Sequence, residues 1–351
     1  DPFDAKDHDD AVYAEPDKDP ANQGGHIVIV AIADVAAYVR PGTALDREAY
    51  TRGNSVYFPD RVVPMLPERI SNELCSLKQG VPRAALAVRM IIGADGRKRS
   101  HSFHRILMRS AAKLSYQQAQ AAIDGKADDQ TGPLLDPILR PLYAAYDAMA
   151  TARDHRGPLA LDLPERKILL DDKGMVRDIH IPDRLEAHRL IEEMMIAANV
   201  AAAETLEQKK SVLLYRVHDE PSSEKLQALR DFLGSLDIAI KKSDSVRASD
   251  FNGILAQSRK AGNVEQVSEM VLRSQAQAEY NADNYGHFGL NLDRYAHFTS
   301  PIRRYADLIV HRALIKALGL GDDGLSETEL LHLPGIAQHI SATERRAMRA
   351  E

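Results

Sequence analysis

The chain has 351 residues, of which 44% are hydrophobic and 27% charged, with a formal net charge of −6. This is ordinary globular composition, enough for a large core, and it argues against nucleic-acid binding through overall positive charge while leaving room for a local basic channel. A single cysteine, Cys75, excludes an internal disulfide, fits a reducing compartment and reads as a buried apolar residue.

The first element is DPFDAKDHDDAV, with carboxylates at Asp1, Asp4, Asp7, Asp9 and Asp10. Acidic runs are ordinarily solvated surface. This one leads into Ala11-Val12-Tyr13-Ala14, which reads as a short strand. A turn-rich stretch follows, and then HIVIVAIADVAAYV, a strongly apolar strand pattern. The acids are therefore tethered to a sheet. Like charges held so close repel unless a cation neutralises them. A set of hard oxygen donors suits Mg²⁺ or Mn²⁺ far better than zinc.

The first part of the chain reads as β-rich, with strands at 11–14, 26–33, 54–58, 84–92 and 97–108 and a turn at GADG. Near residue 115 the period changes, and SYQQAQAAIDG and DPILRPLYAAYDAMATARDHR read as helices. Short strands return around 167–181. DRLEAHRLIEEMMIAANVAAAETLEQKK then makes a long amphipathic helix, with Leu190, Met194, Ala197 and Ala201 near helical spacing. A strand is expected at 212–218 and helices at 222–236 and 263–280. FGLNLDRYAHFTS reads as strand-like and feeds a helix from Pro301, and a last helix runs from 326. No repeat, low-complexity block or long linker marks a domain boundary.

HFTSPIRRYADLIVHRAL, residues 297–314, is the second informative stretch. Thr299 or Ser300 can cap a helix, and Pro301 suits its first position. Arg303 and Arg304 would then lie in the first turn, where the helix end already carries partial positive charge. An anion docking among free N–H groups and guanidinium forks would offset that cost. The plainer reading is a pair of surface arginines partnered by acids. An acidic cation site beside an arginine anion site is what phosphoryl hydrolysis needs.

Five blocks carry a resemblance: DPFDAKDHDDAV, SVYFPDRVVPMLPERISNELCSL, HRLIEEMMIAANVAAAE, YRVHDEP and HFTSPIRRYADLIVHRAL. Spread through the chain in that order, they resemble the catalytic (RNB) domain of the RNase II / RNase R family, with wording nearer the bacterial RNase R branch. The resemblance implies a mixed α/β (α+β) fold, a β-sheet core surrounded by helices with a channel for one RNA strand. It implies a processive 3′→5′ hydrolytic exoribonuclease that degrades single-stranded RNA to nucleoside 5′-monophosphates by a two-metal Mg²⁺ mechanism, with Mn²⁺ able to substitute. The partner is the 3′ end of single-stranded RNA, and a monomer is expected. No apolar run reaches the roughly 18 residues of a membrane span, so no membrane partner is expected, and the location implied is cytoplasmic. One catalytic domain is expected over residues 1–351, with the family's N-terminal cold-shock (OB) and C-terminal S1 domains outside this chain.

The resemblance also assigns residues. The metal-site acids map onto Asp1, Asp7, Asp9 and Asp10, leaving Asp4 as a loop acid; Asp9 or Asp10 would orient the attacking water, and Asp9 is expected to matter most. Arg303 matches the arginine on the terminal phosphates and is grouped with the catalytic acids, with Arg304 and His311 near it. Tyr57 matches a tyrosine that stacks on the terminal base, and stacking tolerates any sequence. Tyr116 is expected to meet RNA at the channel entrance, Arg216 to line the channel ahead of His218, and Glu344 to touch the 3′-terminal ribose. Ile168 stands where the family often has a phenylalanine. The rival readings are a non-catalytic RNA-binding member, an unrelated metal-dependent phosphatase or nuclease, and an interaction module. The presence of all four acids and the spread of the blocks count against them.

Overall fold

In the computed structural model, four antiparallel strands form the central sheet in the order Asp10–Pro16, His26–Ala33, Pro82–Ile92 and Lys98–Arg109. The structure describes residues 2–161, 163, 166–238, 240 and 246–350. The apolar run HIVIVAIA is an inner strand, paired on both edges, and Val28, Val30 and Ile32 are fully buried. A strand covered on both faces has no solvent side to make polar, which is why its sequence does not alternate. The register sets Asp10 beside Ile32, which faces Leu86, then Arg105, at one end of the sheet. At the other end Pro16 faces His26, then Ile92 and Lys98.

Helices Arg140–Arg156, Glu186–Gln208 and Tyr305–Leu318 contribute to the main core against this sheet. The last of these is buried from Tyr305 to Ile315, including Asp307, His311 and Arg312. A buried guanidinium is tolerable only with partners. Arg312 donates to Asp46 at 2.8 Å, to Glu329 at 2.5 Å and to the Val39 carbonyl. A second apolar cluster, built on Leu229, Leu233, Phe251, Ile254 and Val271, joins helices Ser223–Gly234, Ala248–Ala261 and Val264–Ser274.

The mixed α/β class, with a sheet core and surrounding helices, is as expected, and so is the burial of Cys75. Four local expectations are corrected. FGLNLDRYAHFTS is not a strand; it begins in a turn and holds a single bridge residue, Leu292, paired with the preceding His287. The helix expected from Pro301 starts at Tyr305. The helix expected over 263–280 stops at Ser274, and Glu279–Asn281 instead pairs with Tyr215–Val217. Helix Ala248–Ala261 was not anticipated. Among the described residues no helix is long and apolar enough to cross a membrane.

Candidate active site

The acidic segment is fastened to the sheet by its backbone. The Ala33 N–H donates to the Asp9 carbonyl at 2.8 Å, and the Leu77 N–H to the His8 carbonyl at 3.0 Å. Ser76 Oγ accepts from the His8 N–H at 3.0 Å and donates to the Lys6 carbonyl at 2.9 Å. Lys113 Nζ donates to the Ala5 carbonyl at 2.8 Å. These bonds fix where the carboxylates fall. Asp9 is buried, Asp7 and Asp10 are half-buried, and Asp4 is exposed, as expected of a loop acid. Asp1 lies outside the described residues.

The arginine segment is built by tertiary contacts. Residues 301–303 form a turn, and Arg304 bridges to Asn54. The Ser55 N–H donates to the Arg303 carbonyl at 2.9 Å, and the Tyr305 N–H to the Gly53 carbonyl at 2.9 Å. Asp307 accepts from the Ser300 N–H at 2.7 Å and from Arg304 through two bonds of 2.8 Å each. The helix start has no side-chain cap, so neither Thr299 nor Ser300 plays the capping part expected of it. The two arginines precede the helix, so the first-turn cost anticipated for them does not arise. They also differ: Arg304 is half-buried and locked to Asp307, whereas Arg303 is exposed.

The two segments meet. The Ile302 N–H donates to Asp9 Oδ1 at 3.0 Å. Burial holds the Asp9 carboxyl well above the usual carboxylate range, against the opposing pull of the Ile302 N–H and the Arg303 charge. Burial also raises Asp10, again opposed by Arg303. Tyr57 is pushed up to about 12, first by burial and then by the charge of Asp7, with Arg303 opposing. Tyr116 is raised by burial and by Asp10, and Arg303 opposes there too. One exposed guanidinium therefore acts on two carboxyls and two tyrosines.

Two cavities flank this point. Tyr57, Arg303, Arg304 and Glu344 line one of about 240 Å³, with Tyr280. His8, Asp10, Lys113 and Tyr116 border a largely apolar one of about 380 Å³ between the sheet and the helices. Arg216 belongs with the first: it donates to Glu344 at 2.6 Å, and its guanidinium lies 4.7 Å from the Tyr280 ring centroid. Tyr57 remains 42% exposed. Tyr116 is stacked on His188, with centroids 4.0 Å apart. His218 donates through Nε2 to the Ala276 carbonyl at 3.0 Å and accepts at Nδ1 from the Gly289 N–H. His311 is fully buried, bonded to the Phe298 carbonyl at 2.7 Å. Both histidines are buried and bonded to backbone groups. Ile168 sits on the exposed hairpin Lys167–Leu170/Val176–His180.

Sequence reasoning missed Lys113 and Asp307. Lys113 left no local signal, since it acts on the Ala5 backbone carbonyl, 108 positions away. Asp307 did leave one, because it stands three residues after Arg304 at helix-pair spacing. Among the described residues no group of three or more His, Cys, Asp or Glu side chains forms a ready-made metal site.

The RNB domain profile matches residues 1–319. Ribonuclease R of Vibrio cholerae serotype O1 is 42% identical over 354 residues, covering 98% of this chain and 43% of that protein. Ribonuclease R of Escherichia coli K12 is 40% identical, with 98% and 43% covered. The chain thus spans less than half the length of these relatives. The solved structure of Mycoplasma genitalium RNase R in complex with ribose methylated single-stranded RNA superposes with a TM-score of 0.93 at 31% identity, covering 99% of this chain and 54% of that one. With its sheet, its helices and the meeting of the acidic and arginine segments all in place, the chain belongs to the RNB domain family.

Proposed function

We propose that this chain is the catalytic domain of a processive exoribonuclease that hydrolyses single-stranded RNA from its 3′ end and releases nucleoside 5′-monophosphates. The observation that carries the reading is the junction of Asp9 with the Ile302–Arg303 turn. It joins a carboxylate cluster to a phosphate-binding guanidinium. The RNA-bound relative, 31% identical over nearly the whole chain, supports the substrate class.

Arg303 holds the terminal phosphates, its exposure leaving its donors available to them. Tyr57, part of whose surface is exposed, stacks on a base, a contact that any sequence can use. The Arg216–Glu344 pair beside it receives the terminal ribose. Asp9 Oδ1 is held by the Ile302 N–H, and Asp9 or Asp10 orients the attacking water.

The donor set fits Mg²⁺. Asp9 and Asp10 offer only oxygen, and burial pushes both toward protonation, the state of carboxyls lacking a compensating cation. Asp7, Asp9 and Asp10 would hold the ions, together with Asp1, which lies outside the described residues. When bound, Mg²⁺ supplies charge neutralisation and Lewis acidity at the phosphodiester.

The test is an unstructured 5′-labelled RNA incubated with protein and Mg²⁺. Stepwise shortening from the 3′ end, with mononucleotide release, supports the reading. Binding without shortening would make the chain an RNA-binding member of its family without hydrolysis.

A further inference from the structure

At the end of the sheet away from Asp10 lies a second cleft, of about 310 Å³. Its floor is apolar, with Ile92, Met149, Ile196 and Val200. Its rim is cationic. Arg97 comes from the turn entering strand Lys98–Arg109 and Lys98 opens that strand, while Arg153 and Arg156 come from the last turn of helix Arg140–Arg156. Among the described lining residues, Glu193 is the one acid.

The charges are unevenly matched. Lys98 pairs with Glu204 and Arg153 with its neighbour Asp154. Arg156 approaches Glu193 only to 3.8 Å, and its Nε donates to the Leu290 carbonyl at 3.0 Å. Arg156 Nη2 is buried and has no hydrogen-bond partner among the described residues. Basic side chains in a last turn offset the helix dipole. That explains their sign, but neither the cleft between them nor the orphaned Nη2. A buried charged donor without an acceptor is costly, and an anionic oxygen is the acceptor that suits it.

The cleft is also preformed. Gly96 has φ +76°, and a Cβ there would fall 1.8 Å from the Ala148 carbonyl oxygen. The turn that carries Arg97 is therefore pressed against the helix that carries Arg153 and Arg156. That helix and Glu186–Gln208, which brings Glu193, Ile196 and Val200 to the cleft, also reach the acidic end of the sheet, where Leu142 and Leu190 line the cavity beside Asp10.

We propose that this cleft is a second RNA-strand site. It takes one nucleotide unit, phosphate on the arginines and base against the apolar floor, of a strand whose 3′ end lies at the acidic site. The inference rests on the RNA-hydrolase reading above. From Asp10 to Pro16 the strand advances six residues, or about 20 Å at ~3.3 Å per residue. Only a strand of several nucleotides can reach both places. A free mononucleotide presents the same chemistry, and the experiment separates the two.

The test is the double variant Arg97→Glu/Arg153→Glu, assayed for binding and hydrolysis on a long RNA (about 20 nucleotides) and a short one (about 4) over a range of salt. Long-RNA affinity is expected to fall roughly tenfold, with the log K against log salt slope shallower by about 0.7, the contribution of one lost single-strand phosphate contact. Short-RNA binding and hydrolysis stay within about twofold of wild type. The glutamine pair, Arg97→Gln/Arg153→Gln, gives a smaller change in the same direction and guards against a folding defect. Equal loss on both RNAs, or loss on neither, overturns the proposal. So does AMP competition that depends on the two arginines while the long-RNA salt slope stays unchanged, which would make the cleft a mononucleotide site. If wild type hydrolyses neither RNA, the hydrolase reading fails, while the length-dependent affinity still reports on the cleft.

Discussion

The Ile302 N–H donates to Asp9 Oδ1 at 3.0 Å, joining two segments 293 positions apart. That bond makes Asp9→Asn an informative substitution. The amide keeps an oxygen at Oδ1 for Ile302, so the arginine turn stays in place, but the charge is lost. RNA affinity comes from phosphate contacts and stacking, which are untouched. Binding of an unstructured RNA is expected within about threefold of wild type, or ~0.7 kcal/mol. Turnover should fall by a factor on the order of 10³, the scale of removing a key electrostatic group. A loss below about tenfold, worth only ~1.4 kcal/mol of barrier, would remove Asp9 from the centre of the site. Loss of binding together with turnover would make the acidic segment structural.

Arg303 is exposed, yet its charge acts on Asp9, Asp10, Tyr57 and Tyr116. Arg303→Ala should reduce RNA cleavage through a weaker hold on phosphate. Arg303→Lys should recover only part of it, because an ammonium cannot reproduce a planar two-pronged donor. Steady-state cleavage rates of the three proteins decide the point, and a lysine variant equal to wild type would refute the fork.

Arg304 predicts a different phenotype from its neighbour. Its guanidinium makes two bonds of 2.8 Å to the fully buried Asp307, which also receives the Ser300 N–H. Arg304→Met strands that carboxylate and should destabilise the fold by about 3–5 kcal/mol, the range for breaking a buried pair. Arg303→Ala should change stability by no more than about 0.5 kcal/mol, as for an ordinary surface position. Chemical denaturation midpoints of the two variants measure the contrast directly.

The same pair shows what the sequence could and could not tell. Strand His26–Ala33 matched its expected bounds because both of its edges are paired and its apolar run is unbroken. The helix from Pro301 was misplaced because Ser300 and Pro301 carry the local signals of a start. A bond from the Tyr305 N–H to the Gly53 carbonyl and the grip of Asp307 override them. FGLNLDRYAHFTS looks like a strand because it is apolar. Its residues Tyr295, Ala296 and Phe298 are buried by packing against helices, with Asn199 donating to the Tyr295 hydroxyl at 2.9 Å and accepting from the Phe298 N–H at 2.8 Å. Asp9, Asp10, Tyr57 and Arg303 could be singled out because charge crowding and motif spacing are local properties, and the fold brings them near one another. The difference between Arg303 and Arg304 could not, since burial of Asp307 decides it and no adjacent residue records that burial.

Metal removal gives the last prediction, and it can be read without RNA. Asp9 and Asp10 sit where burial raises both carboxyls, and Asp7 lies two residues before Asp9. Without a cation, near neutral pH, this cluster opposes folding through desolvation and mutual repulsion. A divalent cation that binds the folded chain alone stabilises it by mass action, about 2.7 kcal/mol at a concentration 100 times its Kd. Adding Mg²⁺ to chelator-treated protein should therefore raise the Tm in proportion to the logarithm of its concentration, with no substrate present. Asp10→Asn should flatten that response, because it removes one of the anionic oxygens that attract the ion. Cleavage of RNA should be lost in excess EDTA and restored by Mg²⁺ or Mn²⁺. Full cleavage in the chelator would refute the metal assignment. A Tm response to Mg²⁺ that Asp10→Asn leaves intact would place the ion elsewhere in the fold.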